Sequence, residues 1–502
     1  MRSKTTIPQT TTPRLRAFAR GLLFLFFFFP HSPLPTPYSL LHAEPTNYTY
    51  NYDFWFEQVA SPDAYQVGAY ILGSQLGIGH FRDPQGLFIR DNRIYICDSG
   101  NNRIVLIEAS ENGDYKVISV VSSVLINGRE SRFNNPMDIF ESPDGYLYIT
   151  DTNNYRVLKL DRNWNYVSSV LKPVDESIGE DSEFLPVKLT VDFANRLFVQ
   201  ARNINKGLLE FDSRGEFAGF MGANKVDVNI VDYIWKFIST QAQKARMDLF
   251  IPTEYSNLCL DHEGFIYVTN SVGFTDPVRR LNAMGQDILI RNGYEDPVGD
   301  LAIGNAGGIN GRSRFIDVAP LGNDSYACFD RTRGRIFMYD FQGNLLYAFG
   351  GIGNREGYFL LPVALDKMGY SLFALDSRTA ALTRFDVTGY GELINRALDE
   401  YHAGRYEASA EVWEEVLKMN GNYDLAYIGI GRAALRQGDY LKAMKYYKLK
   451  HYREGYGKAF QLYRKQWIEE NLWKILLVLL IVCVTPPLVK FILKIRKEVM
   501  EA

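Results

Sequence analysis

The sequence has few of the residues on which disulfide frameworks and histidine-rich metal sites depend. It contains four cysteines in 502 residues, which is too few for a disulfide framework in a chain of this length. Of its six histidines, only His80 and His262 fall in the central part of the chain. Because a zinc hydrolase or lyase usually needs several histidine ligands, a three-histidine site is excluded there.

An excess of charge of one sign is also missing. Lys and Arg number 55 against 58 Asp and Glu, a net charge of -3, so no strongly basic field is available to hold nucleic acid. Aromatic residues make up 14% of the chain and glycines number 41, a composition that favours a turn-rich β protein. The length allows two to four domains.

Long apolar runs occur only near the two ends. Residues 2–20 carry five basic residues and no acid, and the apolar run 21–29 follows and ends at Pro30. This pattern predicts a signal peptide over residues 1–43, cleaved after Ala43, with a linker over 44–66. An uncleaved anchor is the alternative, although nine apolar residues are too few to span a bilayer.

The second apolar run predicts a single transmembrane helix over residues 472–493. Its uncharged centre covers 475–489, and Lys474 and Lys490 can extend to opposite interfaces. The basic tail 494–502 is typical of a cytoplasmic flank. We therefore expect a single-pass protein of the cell membrane whose residues before 472 are extracytoplasmic. A buried core helix is the alternative.

The central region contains six similar units of β structure. A Phe landmark, in five cases followed closely by Pro, occurs at Phe81, Phe133, Phe184, Phe250, Phe315 and Phe359. A β-rich run follows each landmark, at residues 94–98, 147–151, 197–200, 266–270, 326–330 and 372–376. Short strands broken by turns and repeated six times predict a mainly β fold, a six-bladed β-propeller over residues 67–389.

Two further features of this region concern the ends and the top of the ring. Residues 70–73 match 347–350, whereas unit six lacks a corresponding strand, so the N-terminal strand should complete blade six. Residues 227–247 carry apolar residues at helical spacing and predict an amphipathic helix that caps the ring.

Three units resemble the D-x-x-N-x-R-I core of NHL repeats. The matching pairs are Asp98 and Arg103 in unit one, Asp151 and Arg156 in unit two, and Asp330 and Arg335 in unit five. Unit five has Arg333 where the repeat has Asn, and units three, four and six resemble the repeat only in strand spacing. The resemblance implies an NHL-type propeller, and we interpret the Asp and Arg residues as structural ion pairs.

Residues 390–470 resemble a tetratricopeptide module. Gly404 and Tyr406 recur as Gly438 and Tyr440, 34 residues later, which is the tetratricopeptide period. The resemblance implies an α-helical hairpin module with Gly404 and Gly438 in its turns. Only about two repeats are visible, where three are usual for independent stability, so the helices should pack on the propeller or on a partner.

No catalytic constellation, cofactor site or metal site can be assigned from the sequence. Two binding-type modules joined to one anchor predict a binding or scaffold protein, not an enzyme, that takes a protein or glycan partner; a place beside a transport system is a further expectation. The alternative is a Ca²⁺-dependent gluconolactonase-like hydrolase on the propeller, which would rest on fold analogy alone. A third interpretation makes the helical module a spacer.

Overall fold

The computed structural model describes residues 49–53, 55, 57–110, 113–176, 178–179, 182–222, 254–271, 276–293, 296–300 and 312–501. The predicted signal peptide at 1–43 and the predicted amphipathic helix at 227–247 lie outside this part of the chain. The described residues form a six-bladed β-propeller followed by a helical region.

Each blade contributes one inner strand to the wall of a central channel, and the six inner strands contact one another in sequence to close a ring. They are β4 (Gly86–Arg90), β10 (Pro136–Glu141), β14 (Leu185–Val191), β18 (Asn257–Leu260), β21 (Phe315–Pro320) and β25 (Pro362–Met368). The second strands pair antiparallel with them and are β5 (Arg93–Asp98), β11 (Leu147–Asp151), β15 (Leu197–Arg202), β19 (Ile266–Thr269), β22 (Tyr326–Asp330) and β26 (Ser371–Asp376). These second strands are the six β-rich runs predicted from the sequence. They are almost entirely buried because each blade is covered by its neighbours on both faces.

The outer part of each blade is less uniform. The third strands are β6 (Arg103–Ala109), β12 (Arg156–Leu160), β16 (Leu208–Phe211), β20 (Val278–Leu281), β23 (Arg335–Tyr339) and β27 (Ala381–Val387). Blades one, two, three and five add a fourth strand, respectively β7 (Tyr115–Val121), β13 (Tyr166–Val170), β17 (Phe217–Met221) and β24 (Leu345–Gly350). A separate hairpin, β8 (Ser123–Ile126) with β9 (Arg129–Arg132), follows blade one.

The ring is closed by the N-terminal strand, as the sequence predicted. Strand β3 (Tyr65–Leu72) runs antiparallel to β27, with Leu72 opposite Ala381 and Tyr65 opposite Val387. Blade six thus takes its outer strand from the beginning of the propeller. Both strand edges would otherwise have been left without hydrogen-bond partners.

The predicted linker over residues 44–66 is corrected by the structure. It contains the hairpin of β1 (Tyr50–Tyr52) and β2 (Gln58–Ala60), and Tyr50 pairs with Ala348 at the outer edge of blade five. The Tyr50 side chain is buried, and its hydroxyl donates to Asp300 at 2.8 Å. A buried ring with a buried acceptor holds this segment on the propeller.

The Phe landmark of unit five was also placed wrongly. Arg82 and Asn134, which directly follow Phe81 and Phe133, donate their backbone N–H groups to Asp98 and Asp151. In blade five, the corresponding donor to Asp330 is Arg314, which places Ser313 at the landmark position. Phe315 is instead the first residue of β21. Phe250 lies outside the described residues.

Five helices follow the propeller, and each packs against the next. They are α1 (Gly389–His402), α2 (Tyr406–Met419), α3 (Asp424–Gln437), α4 (Tyr440–Leu449) and α5 (Arg453–Glu501). Helix α1 begins directly after β27, where the Thr388 side chain accepts a hydrogen bond from the Gly391 backbone and caps the helix.

The helices pack on the propeller, which was one of the two expected arrangements. Trp413 and Tyr423 belong to the same buried apolar cluster as Tyr347 and Phe349 of blade five. The Tyr423 hydroxyl donates to the Leu346 carbonyl at 2.9 Å. Propeller and helical region therefore share one core and form one compact unit.

Helix α5 is long and apolar enough to cross a membrane, by length and composition. It runs for 49 residues without a break, so the helical region and the apolar run are joined by the same helix. From Leu472 onward, its large apolar side chains other than Ile475 are exposed. Pro486 and Pro487 lie inside it.

Candidate functional site

The channel wall carries a group of buried polar side chains. Asp138, Lys188, Asn257 and Asp317 occupy corresponding register positions on four consecutive inner strands. Each is at most 6% exposed. Lys188 Nζ lies 3.7 Å from Asp138 Oδ1, and Asn257 Nδ2 donates to Asp317 Oδ1. Around this part of the ring, two donors, Lys188 and Asn257, lie between two carboxylate acceptors.

Three aspartates of the channel connect neighbouring blades. The backbone N–H of Leu189 donates to Asp138 at 3.0 Å, that of Leu365 to Asp317 at 2.8 Å, and that of Ile89 to Asp366 at 2.6 Å. In each case, the donor belongs to the inner strand of the next blade around the ring. These carboxylates therefore link adjacent blades by hydrogen bonds.

Burial changes the proton affinity of these groups. It raises the pKa of Asp366 to about 7 and that of Asp317 to about 6, the latter against the opposing charge of Lys188. The pKa of Asp138 is raised by burial as well. Burial lowers the pKa of Lys188, but Asp138 and Asp317 outweigh it and the net shift is upward.

A carboxyl group that titrates near neutrality in a channel has the proton affinity of a general acid or base. Asp366 and Asp317, however, each accept two backbone N–H groups, from Ile89 and Lys367 and from Leu365 and Val318. Both carboxylates are therefore hydrogen-bonded to backbone N–H groups, and this bonding gives them a structural role.

Within the described ranges, no three His, Cys, Asp or Glu side chains are grouped so that they could hold a metal ion. His80 and His262 are exposed, the first in the loop before β4 and the second in the turn after β18. Cys97 and Cys328 are fully buried, and burial raises the pKa of both thiols.

The Asp and Arg pairs of units one and two are ion pairs within a turn, as expected. Arg103 Nε lies 2.6 Å from Asp98 Oδ2, and Arg156 Nη2 lies 2.7 Å from Asp151 Oδ2. Both aspartates are fully buried. Asn101 donates to Asp98 and to the His80 carbonyl, so the turn is tied to the loop that enters the blade.

The same expectation is wrong in blade five. Arg335 binds Asp300, and its Nη1 lies 3.0 Å from the Tyr50 hydroxyl. Asp330 accepts instead from the Arg314 backbone and from the Ser313 hydroxyl, at 2.7 Å and 2.9 Å. Two segments outside the repeat, β1 and the loop at Asp300, supply the partners that redirect this arginine.

The predicted helical turn residues occupy equivalent places. Gly404 and Gly438 adopt the left-handed conformation, with φ of +78° and +85°, and Tyr406 and Tyr440 begin α2 and α4. This conformation is strained for residues with a side chain, which explains the glycines. An open cavity of about 550 Å³ lies beside the Gly404 turn.

A second cavity lies where α1 meets blade six, and we call it the junction pocket. Its volume is about 570 Å³. The side chains that matter for its chemistry are Tyr370, Ser371, Asp386, Glu392, Asn395 and Asp399. They come from the turn after β25, the first residue of β26, the end of β27 and one face of α1.

Sequence reasoning missed both the channel group and the junction pocket. Neither has a local signal, because Asp138, Lys188 and Asp317 lie on different strands and only ring closure brings them together. The channel group could have been found by aligning the six units on their second strands and comparing the inner strands that precede them. The junction pocket depends on how the helices dock, which no spacing in the sequence encodes.

No family model matches the sequence, and no curated protein matches it. Solved structures do. Virginiamycin B lyase from Staphylococcus aureus is 11% identical, with a TM-score of 0.40 over 64% of this chain and 100% of its own. A protein of unknown function from Bacteroides thetaiotaomicron is 10% identical, with a TM-score of 0.40 over 61% of this chain and 70% of its own. The WD40 repeats of RRP9 are 11% identical, with a TM-score of 0.40 over 64% of this chain and 100% of their own.

Proposed function

We propose that the protein is a membrane-anchored, extracytoplasmic binding or scaffold protein that holds a partner protein close to the membrane. The observation that carries this proposal is the single 49-residue helix α5, which begins in the helical region and continues through the exposed apolar run. A surface built on that region keeps a fixed distance from the bilayer. A surface held in this way is suited to binding a partner protein at the membrane.

The modules are of binding type in this proposal. The propeller is of the NHL type and the helical region is a tetratricopeptide pair, supported by the turn ion pairs at Asp98 and Asp151 and by the equivalent glycines of the two helical turns. Both kinds of module present extended surfaces to partners. The shared core argues against a mere spacer, because a spacer has no need of a shape fixed by the propeller.

The orientation in this proposal follows from charge. The basic residues after 489 stay in the cytoplasm, and the signal peptide exports everything before residue 472. A position beside a transport system fits a rigid, anchored receptor. In this proposal the chain itself carries out no catalytic step.

Site-specific photo-crosslinking in intact cells tests the proposal. A photoreactive residue replaces one exposed apolar side chain at a time: Met419 or Leu441 on the helices, and Leu125 or Met284 on the propeller. Adducts are identified by mass spectrometry. We expect the same partner protein from positions on one face of the molecule, and no adduct from positions on another.

The pattern of adducts decides the outcome. A partner that is recovered equally from all four positions reflects random collision in the membrane. A complete lack of adducts, with normal export of each variant, would refute a binding role and direct attention to small molecules at the propeller channel.

A further inference from the structure

The junction pocket contains a buried polar side chain that has no partner. Asn395 on α1 is 2% exposed, and neither its amide oxygen nor its amide nitrogen makes a hydrogen bond within the described residues. Buried amide groups are nearly always hydrogen-bonded. Asn395 lines the pocket, and a ligand in this space reaches both of its polar atoms once the amide turns toward the cavity.

The hydrogen-bond donor and acceptor of the Asn395 side chain determine which ligand groups the junction pocket can bind. A side-chain amide offers one carbonyl oxygen and two N–H groups. A backbone peptide group is its complement, because the peptide N–H donates to the amide oxygen and the peptide carbonyl accepts from the amide nitrogen. A metal ion or a simple anion would use only one half of this arrangement.

The charge around the pocket is negative. Asp386, Glu392 and Asp399 line it with three carboxylates. Asp386 is paired with Arg384 at 2.8 Å, and the cation on the pocket wall, Arg396, is paired with Glu415 at 2.7 Å. Asp399 accepts from the Tyr370 hydroxyl at 2.6 Å, which holds that carboxylate at the wall. Among the described residues, the exposed Glu392 carboxylate makes no ion pair. The carboxylates of Glu392 and Asp399 therefore favour a cationic ligand.

We propose that the junction pocket binds an extended segment of a partner protein that carries lysine or arginine. Asn395 pairs with a backbone peptide group of that segment, and Glu392 attracts the basic side chain beside it. This proposal rests on the proposed function, because it names the kind of partner segment that the anchored protein holds.

The probe is a fluorescent decapeptide of alternating alanine and arginine, added to the full chain in detergent micelles. Binding is followed by fluorescence anisotropy. Matched decapeptides carry lysine, glutamine or glutamate in place of arginine, and one carries N-methylated alanines that lack backbone N–H groups. We expect the arginine and lysine peptides to bind, and the glutamine, glutamate and N-methylated peptides to bind at least about tenfold more weakly.

The variants separate the pocket from general surface charge. Asn395→Leu keeps the size of the side chain and should weaken the arginine peptide about ten- to a hundredfold, because the bound peptide group loses its partners. Glu392→Gln, at an exposed position, should weaken it about two- to fivefold and reduce its salt dependence. Glu414→Gln is the matched control: it removes one carboxylate from an exposed position on α2, outside the pocket, and should change nothing.

Several results would overturn the proposal: no binding of the arginine peptide, binding that is unchanged in Asn395→Leu, or an equal effect of Glu392→Gln and Glu414→Gln. Binding of neutral maltohexaose in competition with the peptide would replace a protein segment by a glycan. Near-ultraviolet circular dichroism checks that Asn395→Leu is folded. If Asn395→Leu is not folded, Glu392→Gln still tests the pocket. If photo-crosslinked partners appear while no peptide binds, the pocket proposal fails and the proposed function stands.

Discussion

Arg103 and Asp98 show how a single residue can determine the stability of a blade turn. Asp98 is fully buried, and Arg103→Ala would leave its charge without the ion-pair partner at 2.6 Å. Removing one partner of a buried pair costs about 3 to 5 kcal/mol. We therefore expect Arg103→Ala to lower the free energy of unfolding by about that amount, measured by urea denaturation.

Arg132→Ala is the control for that substitution. Arg132 and Glu130 form an ion pair on the exposed hairpin, 3.3 Å apart, with side chains that are 81% and 56% exposed. Exposed pairs contribute about 0 to 1 kcal/mol. If both substitutions cost the same, the turn pairs of blades one and two are not the structural ties inferred here.

Asp366 should make the protein less stable as the pH rises, which is opposite to the usual effect of a carboxyl group. Burial raises its folded pKa to about 7, far above the value of about 4 in an unfolded chain. The folded protein therefore holds this proton more tightly, and the corresponding stability is present at low pH and lost as the pH rises toward about 7. Asp366→Asn should remove that part of the slope.

The measurement for Asp366 compares urea midpoints of the wild type and Asp366→Asn at pH 5, 6, 7 and 8. The difference between the two proteins isolates this carboxyl group from all others that titrate. We expect the variant to be at its greatest disadvantage at pH 5. A constant difference across the series would mean that Asp366 is ionised throughout.

Because of differences in helix packing, two glycine substitutions should have opposite effects on stability. A Cβ on Gly429 of α3 would lie 2.4 Å from the Trp413 ring nitrogen, so Gly429→Ala forces the buried indole to move. Overpacking of this kind costs about 1 to 3 kcal/mol. Gly457 on α5 has open space around it, and Gly457→Ala should stabilise the helix by about 0.5 to 1 kcal/mol.

Thermal unfolding followed by circular dichroism at 222 nm gives the sign of each effect. Both substitutions are the same chemical change in a helix, so intrinsic helix propensity contributes equally to both. A rise in melting temperature for Gly429→Ala would show that Trp413 does not pack closely on α3.

For the whole molecule, the shared core predicts which truncations are tolerated. A chain that ends at residue 388 loses Trp413 and Tyr423 and exposes the apolar cluster of blades five and six that they cover. We expect it to aggregate. A chain that ends at residue 471 keeps all of this contact and lacks only the apolar half of α5, so it should be soluble and folded.

Size-exclusion chromatography and thermal unfolding of the two truncated chains, each begun at residue 44, check this expectation. A soluble, cooperative propeller from the chain that ends at 388 would show that the helices contribute little to it. Aggregation of both would place an essential contact in the removed part of α5.

The sequence by itself determined the features that are set by local periodicity and by repetition. The second strands, the pairing of β3 with β27 and the glycine turns before α2 and α4 follow from strand alternation, from a strand missing in the last repeat and from a 34-residue period, all of which are visible in the sequence. The apolar segment of the last helix was likewise predicted from the sequence. The structure left these interpretations unchanged.

Only the tertiary structure decided where distant residues meet. Arg335 has the spacing of an NHL-type pair, yet it binds Asp300 and Tyr50 because two separate segments pack beside it. The hairpin that replaces the expected linker, the channel aspartates and the unpartnered Asn395 arise in the same way. Contacts between residues far apart in the chain depend on how whole blades and helices fit together, and that fit is a property of the assembled core.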